Sequence, residues 1–140
     1  MTSYKEIQAQ VRAQTKIVIT VDTSRVISGD TREIYMIDNR TEFGSTNEGT
    51  PELSTKCFAG DYISWLVEAI DPDTQDTVSI AGFQVSNGNV FGGDGYPTPQ
   101  TDDNTYWLAR AINQGTQTYQ VKILINGTHV VMWDPFITAC

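Results

Sequence analysis

The sequence predicts an all-β protein: an antiparallel β-sandwich, jelly-roll-like, of about eight strands with a short N-terminal helix. Three observations carry that expectation. Apolar residues alternate with period two over most of the chain after Thr15. β-branched and aromatic residues fill those runs, and Gly, Pro, Asn and Asp fill the gaps. No helix of useful length separates the runs, so parallel βαβ units are excluded. The 140 residues suit one domain, 1–140, with the helix in 1–14 and the sandwich in 15–140.

The helix rests on Ser3 and Glu6, which match a capping box, followed by a stripe of Tyr4, Ile7 and Val11. It is too short to stand alone and has to pack on something. The first strand alternates Ile17, Ile19 and Val21 with Lys16, Val18 and Thr20. Further strands are read at 33–38, 53–59, 62–70, 77–83, 105–112, 118–125 and 128–133. In the fourth, Ile63, Trp65, Val67 and Ala69 share one face, opposite Ser64 and Glu68.

Asn126-Gly127 between two alternating runs is a strong hairpin signal. A two-residue turn there pairs Ile123 with Val130 and Val121 with Met132 on a core face. The other face then pairs Leu124 with His129, Lys122 with Val131 and Gln120 with Trp133. Leu124, Val131 and Trp133 are too apolar for water, so this face is expected to be covered by the leading helix or by another subunit. Those three residues are the self-association candidates, and a homo-oligomer is expected.

Nine Lys and Arg against seventeen Asp and Glu give a net charge of −8. That balance argues against nucleic acid or an anionic membrane surface as partner. The whole excess sits between Cys57 and Ala109, where eight acidic residues meet no Lys or Arg. The charge reads as a soluble acidic rim, or as a cation or polyol site in the loops. Two cysteines make no disulfide framework. Cys57 reads as a small buried hydrophobe and Cys140 as accessible. With no apolar h-region after Met1 and no run near the ~20 residues a span needs, neither secretion nor membrane insertion is expected, and the location is taken as cytoplasmic.

Candidate chemistry comes from the loops. Asp71, Asp73 and Asp76 resemble a calcium loop, but Asp76 and Gly82 stand where an EF-hand needs Gly and Glu. A β-turn capped by Asp side chains is the simpler reading, and Ca²⁺ the one cofactor considered. Residues 84–104 form a long segment with little strand pattern, the kind that is functional or disordered. Asp94, Tyr96, Asp102, Asp103, Asn104 and Trp107 there supply the flat rings and paired acceptors a carbohydrate needs. The opposing reading makes Trp107 core and Tyr96 loop packing. Residues 38–51 form a second polar loop. The single histidine, His129, has no recognisable nucleophile to serve, and no Gly-rich loop opens a helix. No catalytic residues are assigned, and an enzyme is not expected.

Three segments then resemble one family. Met132-Trp133-Asp134-Pro135-Phe136-Ile137-Thr138 resembles the Trp-Asp-Pro-x-Ile ending of the AidA/PixA bacterial inclusion-body proteins. Residues 18–23 and the Gly60-Asp61-Tyr62-Ile63-Ser64-Trp65 run are similar to two further segments of that family. The resemblance implies a β-sandwich without known catalysis, cell-density-regulated or host-associated expression and self-association into inclusions. Three methionines depart from the Met-rich composition of PixA-like members, so a sulfur-storage role does not carry over. The shared residues read as structural, with Trp133 anchoring the last strand and Asp134 capping the turn that Pro135 fixes. A non-enzymatic, self-associating protein is therefore the first functional reading. A soluble lectin-like module, calcium-assisted, is the alternative.

Overall fold

The computed structural model describes residues 13–29 and 33–140. Along the chain lie β1 (Thr15–Val21), α1 (Thr23–Ile27), β2 (Ile34–Asp38), a 3₁₀ turn (Thr41–Phe43), β3 (Ser54–Cys57), β4 (Tyr62–Ala69), β5 (Val78–Val85), β6 (Thr98–Pro99), β7 (Tyr106–Arg110), β8 (Gly115–Ile125), β9 (His129–Trp133) and β10 (Phe136–Ala139). The expected helix over 1–14 falls almost wholly outside the described residues, and Ala13 and Gln14 lead into β1 without helical structure.

One sheet runs β2-β1-β4-β7-β6 and the other β3-β10-β8-β5, with β9 also on β8. The period-two pattern explains the layering: Ile17, Ile19, Ile63, Trp65 and Trp107 face inward from the first sheet, and Tyr119, Val121, Ile123 and Ile137 from the second. At the centre Trp65 meets Phe83, Phe91 and Tyr119 at ring separations of 4.8, 6.1 and 5.7 Å. Its indole N–H donates to the Tyr119 hydroxyl at 3.2 Å, satisfying a polar atom that would otherwise be stranded.

The sandwich is not wholly antiparallel. β1 lies parallel to β4, and β3 parallel to β10. β3, in the second sheet, separates β2 from β4 in sequence, so β1 and β4 become neighbours through a crossover by way of the other layer rather than a helix. Besides the 3₁₀ turn and the two-residue β6, two further elements were not foreseen. α1 is started by Asp22, whose carboxylate accepts from the Arg25 N–H. β10 continues the β9 arm past Asp134-Pro135 without losing step, pairing Phe136 with Thr118 as β9 pairs Trp133 with Val121.

The Asn126-Gly127 turn reverses the chain as expected, with φ of 55° and 72° at the two residues, but the register is displaced by one. Thr128 joins the loop, so Ile123 faces Val131, Leu124 faces Val130 and Val121 faces Trp133. A slip of one residue turns every side chain of a strand over. Val131 is accordingly buried and Trp133 packs against the core. Leu124, Val131 and Trp133 thus do not share an outer face. The outward set is Leu124 with Val130 and Met132, the latter two 45% and 53% exposed. The turn is tied to the neighbouring loop: Asn126 N–H donates to the Thr77 carbonyl at 2.9 Å, and its side-chain oxygen accepts from Thr77 N–H at 3.0 Å.

Candidate functional site

The long segment 84–104 is an ordered cover over one end of the core. Val90 and Phe91 are buried in it, and Gln117 on β8 pins it from beneath. The Gln117 amide donates to the carbonyls of Ser86 and Gly88 at 3.1 and 3.0 Å, and its oxygen accepts from Phe91 N–H at 3.3 Å. The six residues proposed there for a ligand separate into two places. Asp94 and Tyr96 line a cleft of about 260 Å³ with Tyr62 and Arg110. Tyr96 also donates its hydroxyl to the Phe83 carbonyl. Asp103 and Asn104 belong to a turn that starts β7. Asp103 Oδ1 accepts from Thr101 and Thr105, and Asn104 presents its carbonyl to the Trp107 indole N–H at 3.1 Å. Burial acts to raise the Asp103 carboxyl, but the bonds from Thr101 and Thr105 outweigh it and hold it below the usual Asp value. Trp107 packs against Phe83 at 5.3 Å in the core, and Asp102 stays exposed.

Asp71, Asp73 and Asp76 do not converge. Asp71 caps its own turn by accepting from the Asp73 N–H at 2.9 Å. Both oxygens of Asp76 are engaged, Oδ1 by the Asn126 amide at 3.0 Å and Oδ2 by the Thr23 hydroxyl at 2.7 Å. Among the described residues no three acidic, His or Cys side chains gather to hold a metal ion. Asp76 is instead a clasp joining α1, the 71–77 turn and the β8–β9 hairpin. Its hydrogen bonds, from Asn126 first and then Thr23, hold its carboxyl below the ordinary Asp value. A depressed carboxyl contributes stability that is present above the unfolded value of about 3.9 and lost as pH falls through the folded one. A carboxyl-carbon NMR titration is expected to place the Asp76 midpoint below 3.8, and Asp76→Asn to flatten the loss of stability on acidification through that window. A midpoint at or above the free value would count against the clasp.

The Gly60-Asp61 turn carries another polar knot. Asp61 Oδ2 accepts from Arg40 Nη2 at 2.7 Å, Phe58 N–H at 3.0 Å and Thr15 Oγ1 at 3.1 Å. Arg40 also donates to Thr15 Oγ1 at 3.0 Å, and its guanidinium lies over the rings of Phe43 and Phe58 at 5.0 and 5.4 Å. Cys57, buried beside this knot, has its thiol pushed up to about 12, chiefly by burial, and Cys140 is exposed.

A larger concavity than the Asp94–Tyr96 cleft lies elsewhere, at the open side of the sandwich where β2 and β9 face each other. It has a volume of about 680 Å³ and lies among Ile34, Val131, Trp133, Pro51, Glu52 and Asp134. Ile34, Val131 and Trp133 give it an apolar floor. Residues 47–52 form one wall, held by Gly49 N–H donating to the Met36 carbonyl at 2.6 Å. Trp133 is fixed by its indole N–H pointing at Met36 Sδ, 3.0 Å away. Asp134 does not cap the Asp134-Pro135 turn; its carboxylate has no hydrogen bond among the described residues and borders the groove. From the sequence Val131 and Trp133 were assigned to self-association, and no groove was foreseen. The signals available were the polar 38–51 loop and the Trp-Asp-Pro ending, and only folding brings them side by side.

A family model described as a domain of unknown function, DUF8788, matches residues 13–131. That span takes in β1 to β8 and the start of β9, and stops short of Trp133 and β10. The chain belongs to the DUF8788 family. No curated protein matches this DUF8788 member. Among solved structures it is similar to the inclusion body protein PixA from Burkholderia cenocepacia J2315. The TM-score is 0.74 at 17% identity, covering 91% of this chain and 96% of that one. The AidA/PixA resemblance carried by Trp133-Asp134-Pro135 and Gly60-Asp61 is thus matched at the level of the fold. Among the described residues, no helix of this DUF8788 protein is long and apolar enough to cross a membrane.

Proposed function

We propose that this DUF8788 protein is a non-enzymatic, self-associating β-sandwich, a protein whose job is to pack against copies of itself. The observation that carries the reading is the outward stripe of Leu124, Val130, Met132 and Phe136 along the β8–β9–β10 arm. Its last three members are 45%, 53% and 37% exposed. The stripe lies almost wholly within the longest acid-free part of the chain. Residues 104–133 hold no Asp or Glu, only Arg110 and Lys122 as cations, in a protein of net charge −8. Two copies meeting there bury apolar surface without opposing carboxylates, whereas contact through the 57–109 loops, which carry the whole charge excess, sets like charges together. PixA, the structural neighbour, is titled an inclusion body protein, which supports the same reading. A reducing cytoplasm suits the two unpaired thiols, Cys57 and Cys140.

The carbohydrate reading keeps less support, because only Asp94 and Tyr96 of its six residues share a cleft. Light scattering coupled to size exclusion is expected to find a dimer or larger species for the natural chain and a monomer for Val130→Lys/Met132→Lys, with the same circular-dichroism spectrum. A natural chain that stays monomeric at millimolar concentration overturns self-association. Val131→Lys, directed at the core, is expected to unfold the protein instead.

A further inference from the structure

We propose that the groove between β2 and β9 binds a small organic cation, an ammonium group carried on an apolar body. Its volume of about 680 Å³ falls within the few hundred to ~1,000 Å³ typical of small-molecule sites. Its chemistry is asymmetric. Pro51 offers aliphatic surface above the buried Ile34 and Val131, and Trp133 an aromatic ring, while Glu52 and Asp134 supply two carboxylates; among the described residues no Lys, Arg or His lines it. An anion finds no counter-charge among those residues. A cation finds both the negative face of an indole and paired carboxylates in a concavity that concentrates their field.

Among the described residues nothing else engages the two carboxylates. Asp22, Asp38, Asp61, Asp71, Asp76 and Asp103 all accept hydrogen bonds that close turns or join strands. Glu52 and Asp134 accept none among the described residues. The supporting wall is nonetheless fixed: the Asn47 amide donates to the Glu52 carbonyl at 3.3 Å, and the Thr50 hydroxyl accepts from the Glu52 N–H at 3.2 Å. Glu52 is therefore held at the rim by its backbone, with its side chain left for a guest. The site adjoins the self-association stripe, since Met132 borders both, but its carboxylates, Glu52 and Asp134, are not members of that stripe.

Isothermal titration of the full chain with 2-phenylethylamine, 2-phenylethanol and 3-phenylpropionate at neutral pH tests it, since the three share a ring and differ in charge. The amine is expected to bind saturably at one site, at least ten-fold more tightly than the alcohol, and the carboxylate to give no binding. Glu52→Gln/Asp134→Asn is expected to weaken the amine at least ten-fold with an unchanged circular-dichroism spectrum, both side chains being exposed. No saturable amine binding, equal binding of the alcohol or the acid, or an unchanged amine affinity in the double variant each overturns the proposal.

Discussion

Asp61→Ala is expected to lower stability by about 3–5 kcal/mol, the range for removing one partner of a buried ion pair. In this chain that corresponds to a fall in Tm of roughly 10–15 °C. The carboxylate holds together three parts distant in sequence: Thr15 at the start of β1, Arg40 after β2 and Phe58 after β3. The Arg40 and Asp61 side chains are only 12% and 13% exposed, so water cannot take over when one leaves. What remains is a guanidinium between Phe43 and Phe58 without the carboxylate it pairs with, and a Phe58 N–H without its acceptor. Most of the loss is the penalty of the stranded charge rather than the worth of the pair. The double variant Arg40→Leu/Asp61→Leu is accordingly expected to recover a large part of it. Thermal unfolding by circular dichroism reads both. A loss below about 1 kcal/mol for Asp61→Ala would place the pair among solvated surface bridges instead.

Gly88→Ala carries the second large effect, for a backbone reason. Gly88 has φ of +111°, and a Cβ built there would lie 2.1 Å from the Thr116 carbonyl oxygen and 2.9 Å from Gln117 Cα. Both are main-chain atoms of β8, which cannot swing aside as a side-chain tip can. Gly29 supplies the control: its φ is +112°, yet among the described residues nothing lies within 4 Å of its Cβ position. Ala at Gly29 is expected to cost about 1–2 kcal/mol of conformational strain. Ala at Gly88 adds the displacement of the cover from β8, for a total of about 3–5 kcal/mol. Urea unfolding measures both, and limited proteolysis within 86–104 is expected to accelerate for Gly88→Ala alone. Equal losses at the two glycines would mean that the close approach to Thr116 is relieved without disturbing the cover.

Legibility from the sequence followed the range of the forces involved. Alternation marked β1, β4 and β8 because every second residue must leave water, whatever the partner strand. The same strand pattern read Cys57 as a small buried hydrophobe, whereas Trp107 was left between core and ligand site and Asp71 between turn cap and metal ligand. α1 was missed because five residues are too few for a helical period to show, although Asp22 before Thr23 was a usable capping signal. The hairpin shows the limit within a single motif. Asn126-Gly127 reverses the chain for a local reason, the positive φ at both positions. Its register also involves Asn126 bonding to Thr77 and Asp76, some fifty residues away. That one step moved Val131 and Trp133 from the outer face to the core and left Val130 and Met132 outside.

By itself, then, the sequence determined the layered all-β class, the place of the reversals, the acidity and its uneven spread. Each follows from neighbouring residues or from a count. Tertiary structure alone decided that β1 runs parallel to β4, that the 84–104 segment is a pinned cover and that Asp76 is a clasp. It also decided that Glu52 and Asp134, over eighty residues apart, border one groove. Those outcomes depend on which distant groups can satisfy one another's buried hydrogen bonds and fill the same volume, and no periodicity along the chain records such a pairing.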